Sequence, residues 1–160
     1  RDLHSFPTRR SSDLRFTRVG ESVELFCGDN YDYIGVVEEI GKKSAQILVK
    51  EKRANICNPK IEIDVFQALA KGDKLSLIMQ KITELGAHKL VLFESKFCDV
   101  KANSKKPERL ESISISACKQ CGRSTPVKLE PEISTIGKIK NIIKEYDTFL
   151  IFYEAEDNRT

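Results

Sequence analysis

The apolar residues of this chain follow two different periods on either side of residue 59, and that change constrains the fold more than any other feature. Before it the period is two. Val23, Leu25 and Cys27 alternate with Glu24 and Phe26, Gly28-Asp29-Asn30 supplies residues that tolerate positive φ, and Tyr31 to Ile40 returns as a second strand. Gly41-Lys42-Lys43 makes the next turn, and Ala45, Ile47 and Val49 alternate with Gln46, Leu48 and Lys50. Short strands joined by tight turns predict a small β-barrel over residues 15–59.

The polar run Glu51-Lys52-Arg53-Ala54-Asn55, followed by Asn58-Pro59, breaks this pattern and is the expected linker. After it, strand and helix periods alternate. Ile61, Ile63 and Val65 read as a strand, and Leu75, Ile78, Ile82 and Leu85 recur at helical spacing, with Gly86 placed to end that helix in a left-handed cap. Residues 90–93 form an almost continuous apolar run, as expected of a strand covered on both faces. Pro107 suits the first turn of a second helix with the stripe Leu110, Ile113, Ala117 and Cys121. A third helix is expected over residues 135–144, carrying Ile136, Ile139, Ile142 and Ile143, and residues 148–153 read as the next buried strand. Such alternation predicts a parallel α/β sheet over residues 60–160. The overall expectation is therefore α/β plus a small β-barrel.

The first fourteen residues, RDLHSFPTRRSSDL, have neither period and no apolar core of a signal peptide. They resemble a translated sequencing adapter joined to an open reading frame, and residues 1–14 are left out of the fold expectation. On this reading either native end lies outside the chain.

The net charge of +3 arises from 27 Lys plus Arg against 24 Asp plus Glu, a modest excess that permits a nucleic-acid partner without singling one out. Five cysteines, an odd number with no secretory signal, fit a reducing cytoplasm better than a disulfide framework. The apolar runs fall far short of the roughly 20 residues of a membrane helix, so no membrane partner is expected.

Two cysteines stand as Cys118-x-x-Cys121 in the stretch ACKQCGR. A structural zinc site wants four ligands, yet Cys27, Cys57 and Cys98 are isolated and His88 has no partner histidine, so no metal is expected. A redox pair works best at a helix N-terminus, whereas this pair precedes Gly122 at a helix C-terminus, where the dipole disfavours a thiolate. Both read as small residues facing the sheet. Gln120 and Arg123, three apart, share a helix face, and an arginine there can grip a phosphate or a carboxylate. A solvated arginine complementing the helix dipole fits the spacing equally well. Lys71, Lys74 and Lys81, with Gln80 and Glu84, make either a charged face over a site or the solvent side of a helix.

The ordered series Lys71-Gly72-Asp73-Lys74, Gln80-Lys81-Ile82-Thr83-Glu84-Leu85-Gly86-Ala87, Glu108-Arg109 and Ala117-x-x-Gln120-x-Gly122-Arg123 resembles the ribosomal RNA small subunit methyltransferase E family, over about residues 15–155. That resemblance implies an N-terminal PUA-like barrel that binds RNA, followed by the first part of a SPOUT (trefoil-knot) methyltransferase domain that works as a homodimer in the cytoplasm. It implies transfer of a methyl group from S-adenosylmethionine to N3 of a uridine in 16S ribosomal RNA. Such a reaction removes the N3 proton and holds a flipped base against the sulfonium, so positioning carries much of the barrier reduction. No residue here is assigned as the base.

The resemblance places Lys71, Lys74, Lys81 and Arg123 towards RNA phosphate and makes Glu84 and Gln120 orient neighbouring groups. Lys96 stands where the family often has arginine, and Cys118 and Cys121 replace small alanine and serine. The glycine-rich segments that form the knot and hold the cofactor have no counterpart in the chain and are expected beyond Thr160; the opening barrel strand is displaced by the adapter-like residues. The expectation is therefore a fragment, inactive alone, of a 16S rRNA methyltransferase. A non-enzymatic RNA-binding module is the second expectation, and a redox or zinc protein ranks third.

Overall fold

A computed structural model describes residues 17–42, 44–71, 73–96, 98 and 106–152 of the chain, with the side chain of Lys106 left aside. The adapter-like residues 1–14 lie outside the described residues.

The period-two region forms three antiparallel strands in the order β1-β2-β3: β1 (Ser22–Phe26), β2 (Tyr31–Ile40) and β3 (Ala45–Ala54). β1 and β2 pair from Ser22 opposite Val36 to Phe26 opposite Asp32, and the ladder between β2 and β3 shifts register after Ile34 and again after Val37. Val23, Leu25 and Val37 are buried together, with Tyr33 and Ile47 packed on them. The described residues give a three-stranded sheet; barrel closure is not part of what they show. β3 continues to Ala54, so four residues expected in the linker belong to the strand. Three of them, Glu51, Lys52 and Arg53, are charged because this end of β3 is exposed, and a backbone ladder does not require apolar residues.

The second region is a parallel sheet with helices: β4 (Asp64–Ala68), α1 (Lys74–Glu84), β5 (Lys89–Glu94), α2 (Lys106–Cys121), β6 (Lys128–Leu129), β7 (Ser134–Thr135) and α3 (Ile136–Ile142). β5 is central. β4 flanks one side in register from Asp64 opposite Lys89 to Ala68 opposite Phe93. The other side is shared by β6 at Lys89–Leu90 and β7 at Phe93–Glu94. Leu69, Leu75, Met79, Leu90, Leu92, Leu110 and Val127 make its core.

Three expectations shift. β4 begins at Asp64, not at Ile61, and Ile61 is 74% exposed. Alternation marked β residues but could not tell a strand from the extended approach to it. On α1, Leu75 is buried and Ile78 and Ile82 half-buried, but Leu85 is 80% exposed because the helix ends at Glu84; Met79 fills the core position instead. The third correction concerns residues 148–153, expected as a buried strand: Phe149, Leu150, Ile151 and Phe152 are exposed, residues 148–152 form no strand, and Tyr153 lies outside the described residues. The Phe149 ring stands edge-on to Phe66 of β4.

The helix-ending glycine is borne out in detail. Gly86 has φ 94°, Ala87 N–H donates to Ile82 O (2.8 Å) and Gly86 N–H to Thr83 O (3.2 Å), the paired bonds of a Schellman cap. α2 ends in the simpler form: Gly122 has φ 81° and its N–H donates to Cys118 O at 3.0 Å. Cys118 is fully buried and Cys121 half-buried, as small residues facing inward. No helix among the described residues is long and apolar enough to cross a membrane.

Candidate nucleic-acid interface

In a parallel sheet of this kind each helix starts at the carboxyl ends of the strands and finishes at their amino ends. Lys71 and Lys74, just before and at the start of α1, therefore stand at the carboxyl end of β4, and both are exposed. Open α/β sheets bind ligands at that end. The exposed Lys96, which follows β5, adds a third cation there. Asp73 at the helix N-terminus is joined to Arg109 of α2 by a 2.7 Å ion pair that ties the starts of the two helices together on the surface. Such an exposed pair contributes little stability.

Lys81 and Glu84 lie towards the other end of α1, about 10 and 15 Å from its start at 1.5 Å per residue. Glu84 accepts from Gln80 Nε2 at 2.9 Å and Lys81 Nζ at 2.7 Å, both on its own helix. Lys81, then Gln80, hold the carboxylate below its ordinary range. Lys81 thus meets solvent with its charge already engaged. Gln120 is exposed in the last turn of α2.

Arg123 departs from the phosphate-facing position expected of it. It is 4% exposed. Nη1 donates to the carbonyls of Thr83 (2.8 Å) and Ala87 (3.1 Å), on either side of Gly86, and Nε reaches Asn58 Oδ1 at 3.5 Å. The turn at Gly122 carries the chain back under the end of α1, so the residue one step beyond it points inward although Gln120, three before, points out. Helical spacing had placed both on one face, but the helix ends between them. The six candidate residues therefore do not converge: Lys71 and Lys74 mark the carboxyl end of the sheet, while Lys81, Glu84, Gln120 and Arg123 mark the amino end.

Two polar groups at that amino end were not singled out by spacing. Asp64, at the start of β4, has a side chain 7% exposed; it accepts from the Tyr146 hydroxyl, lies 2.9 Å from His88 Nδ1 and pairs with Lys89 Nζ at 3.2 Å. Burial alone would raise its pKa, but the bonds from Tyr146, His88 and Lys89 together outweigh burial and hold the carboxyl below its usual range. Burial, then Asp64, pushes the Tyr146 phenol up. Lys128 Nζ stands 3.2 Å from His88 Nε2. One residue from each of β4, β5 and β6 thus meets at the strand starts, a register property invisible before the strands are paired. The second group is the asparagine set Asn30, Asn55 and Asn58, readable in sequence only as turn formers.

Among the described residues no three His, Cys, Asp or Glu side chains assemble as a metal site. Two shallow grooves, of about 300 and 400 Å³, are lined by Asp32, Arg53 and Asn55 and by Gly28, Glu111 and Thr125, away from the carboxyl ends of β4 and β5.

Residues 57–160 match the model of the RNA methyltransferase domain. The chain is 26% identical over 144 residues to ribosomal RNA small subunit methyltransferase E of Rickettsia conorii, covering 88% of this chain and 56% of that protein. With the Bacillus subtilis protein of the same name it shares 27% over 148 residues, covering 89% and 57%. The chain thus spans little more than half the length of these relatives. Among solved structures, a Legionella pneumophila methyltransferase in complex with the cofactor SAM superposes with a TM-score of 0.75 at 27% identity, over 89% of this chain and 59% of that one. A Neisseria gonorrhoeae ribosomal RNA small subunit methyltransferase E bound to S-adenosyl methionine gives a TM-score of 0.73 at 25% identity, over 87% and 61%. With the family's model matching well over half of its residues on a parallel sheet of the same fold, the chain belongs to the RNA methyltransferase domain family, and within it is similar to the ribosomal RNA small subunit methyltransferase E proteins.

Proposed function

We propose that this chain is part of an S-adenosylmethionine-dependent enzyme that methylates N3 of a uridine in 16S ribosomal RNA, acting in the cytoplasm as a homodimer. The match of residues 57–160 to the RNA methyltransferase domain carries the reading, and the named relatives supply the choice of the small-subunit RNA. In this reading the N-terminal sheet belongs to a PUA-like RNA-binding barrel and the parallel sheet to a SPOUT domain. In this reading the cofactor is held by the part of the relatives' length that this chain does not span. The 160 residues alone bind RNA without transferring a methyl group.

Lys71 and Lys74 are the RNA-facing residues of this reading. Both are exposed at the end of the sheet where α/β proteins take ligands, and each phosphate contact releases counterions that make binding salt-dependent. The test is binding of the 160-residue chain to a 16S rRNA fragment across a salt series, with calorimetry for S-adenosylmethionine alongside. Lys71→Ala and Lys74→Ala should each lower the log–log salt slope by about one, and the cofactor should give no heat. Unchanged slopes remove the two lysines from the interface. Micromolar cofactor binding shows that the site lies within these residues. For the activity itself, the chain joined to the remaining segment of the Bacillus subtilis relative should restore 3-methyluridine, read by nucleoside mass spectrometry, to 16S rRNA of a strain lacking its own enzyme. A folded, RNA-binding fusion that leaves the uridine unmethylated overturns the reaction and leaves an RNA-binding module.

A further inference from the structure

The segment 55–63 between β3 and β4 is not a free tether. Two helix-ending glycines receive it: a Cβ on Gly86 would lie 2.3 Å from Pro59 Cγ, and one on Gly122 would lie 3.4 Å from Cys57 Sγ. The Gly86 position has no room for a side chain, whereas a Cβ at Gly122 would meet Cys57 in an ordinary contact.

The carboxamide of Asn55 is used at every corner. Its Nδ2 donates to the carboxylate of Asp32 on β2, at 2.8 and 3.0 Å, and to the carbonyl of Gly122 after α2, at 2.9 Å, while its Oδ1 accepts the Cys57 N–H at 2.9 Å. The backbone N–H of Asn55 donates to Asn30 O at 2.9 Å. Asp32 is 4% exposed and Asn55 half-buried, so the bonds from Asn55 to Asp32 and Gly122 are partly shielded from solvent, while the bond from the Cys57 amide lies at the surface.

Asn58 makes a second crossing. Its Nδ2 lies 2.8 Å from Ser124 Oγ, 3.1 Å from Thr125 Oγ1 and 3.0 Å from Asn30 Oδ1; Thr125 Oγ1 in turn donates to Asn30 Oδ1 at 2.8 Å. Asn30, in the turn between β1 and β2, is held at φ 66°, a conformation asparagine tolerates better than most residues. One turn of the N-terminal sheet, the linker and the loop after α2 thus close a single network.

We infer that Asn55 and Asn58 are positioning residues that lock the N-terminal sheet and the α/β unit into one rigid body, fixing the span between the two surfaces that a ligand touching both would meet. A polar network at a partly buried joint specifies geometry because a member left unpaired where it is shielded from water costs up to about 1–3 kcal/mol, so few alternative joints satisfy it. The rigidity stands on the contacts themselves. Its use in presenting RNA rests on the proposed function. The carboxamide is required at position 55, since a carboxylate would face that of Asp32 and the Gly122 carbonyl without a proton to offer either.

Residual dipolar couplings of the 160-residue chain test this directly, because a rigid joint gives both units one alignment tensor. Wild type should show a single tensor and a protected Cys57 amide. Asn55→Ala and Asn55→Asp should give two divergent tensors and Cys57 exchange faster by roughly tenfold or more, with the couplings inside each unit unchanged. If Asn55→Asp fails to fold, Asn58→Ala, which introduces no charge, is expected to split the tensors in the same way. Two tensors in wild type, or one tensor with unaltered Cys57 exchange in the Asn55→Ala and Asn58→Ala variants, overturns the inference. Binding of the 16S rRNA fragment, measured on the same samples, separates the two readings. Tensors that split in a chain whose wild type has no affinity for RNA uphold the lock and sink its use for RNA.

Discussion

Pro59 sits against Gly86 so closely that no side chain fits between them: the nearest ring carbon is 2.3 Å from where a Cβ would be. Gly86 also has φ 94°, in the region that costs an L-residue roughly 1–2 kcal/mol. Gly86→Ala therefore carries a backbone penalty and a clash, and a loss of about 3 kcal/mol or more is expected in urea unfolding. Pairing it with Pro59→Ala separates the two. The double variant should recover the steric part and keep the backbone part, and equal losses in both would show that the linker moves aside freely.

Arg123→Met should destabilise the chain by about 2–3 kcal/mol, since methionine keeps the apolar stem but gives up two charge-assisted bonds to the Thr83 and Ala87 carbonyls. RNA affinity at saturating folded fraction should keep its salt slope, because a guanidinium that is 4% exposed and committed to carbonyls neutralises no phosphate. A slope reduced by about one, as for Lys71→Ala, would return Arg123 to the interface.

These two residues mark how far the sequence could be read. The cap at Gly86 was legible because its cause is local: a helix stripe ends, and only glycine enters a left-handed turn without cost. The parallel sheet followed from alternating periods, and the hairpin turn from Gly28 and Asn30. Arg123 was misread because its direction is set one residue beyond a helix end, where spacing has no predictive force. Residues 148–153 read as a buried strand on apolar content alone, but burial needs a partner surface, and Phe149 to Phe152 are exposed although the Phe149 ring meets Phe66. The asparagine lock and the Asp64 cluster are long-range objects. Asn58 bonds across 66 positions to Ser124, and no local pattern encodes a pairing made by packing.

Acid stability should carry the signature of Asp64. Its carboxyl is held below the ordinary aspartate value of about 3.9 despite burial, by Tyr146, His88 and Lys89. A lowered pKa in the folded state means that the unfolded chain binds the proton more tightly. The contribution is therefore complete above about pH 5 and is lost as pH falls through 3.9 towards the folded-state value. Asp64→Asn should cost about 2 kcal/mol at pH 7 and flatten the acid limb of the stability curve over that window. An acid limb unchanged in steepness would assign it to other carboxylates.

Ser114 offers the sharpest test of the join between α2 and the sheet. Its hydroxyl is fully buried, accepts the Val127 N–H at 2.8 Å and lies 3.1 Å from the Thr83 hydroxyl, which donates to Met79 O at 2.7 Å. Thr83 has one proton for two acceptors and Ser114 a lone pair to spare, so the chain of hydroxyls serves chiefly to satisfy Val127 at the entry to β6. Ser114→Ala leaves that N–H buried without its acceptor and should cost about 1–3 kcal/mol, with faster hydrogen exchange at Val127. Thr83→Val removes a hydroxyl but orphans no backbone donor, so it should cost less than Ser114→Ala. The reverse order would mean that Val127 finds its partner elsewhere.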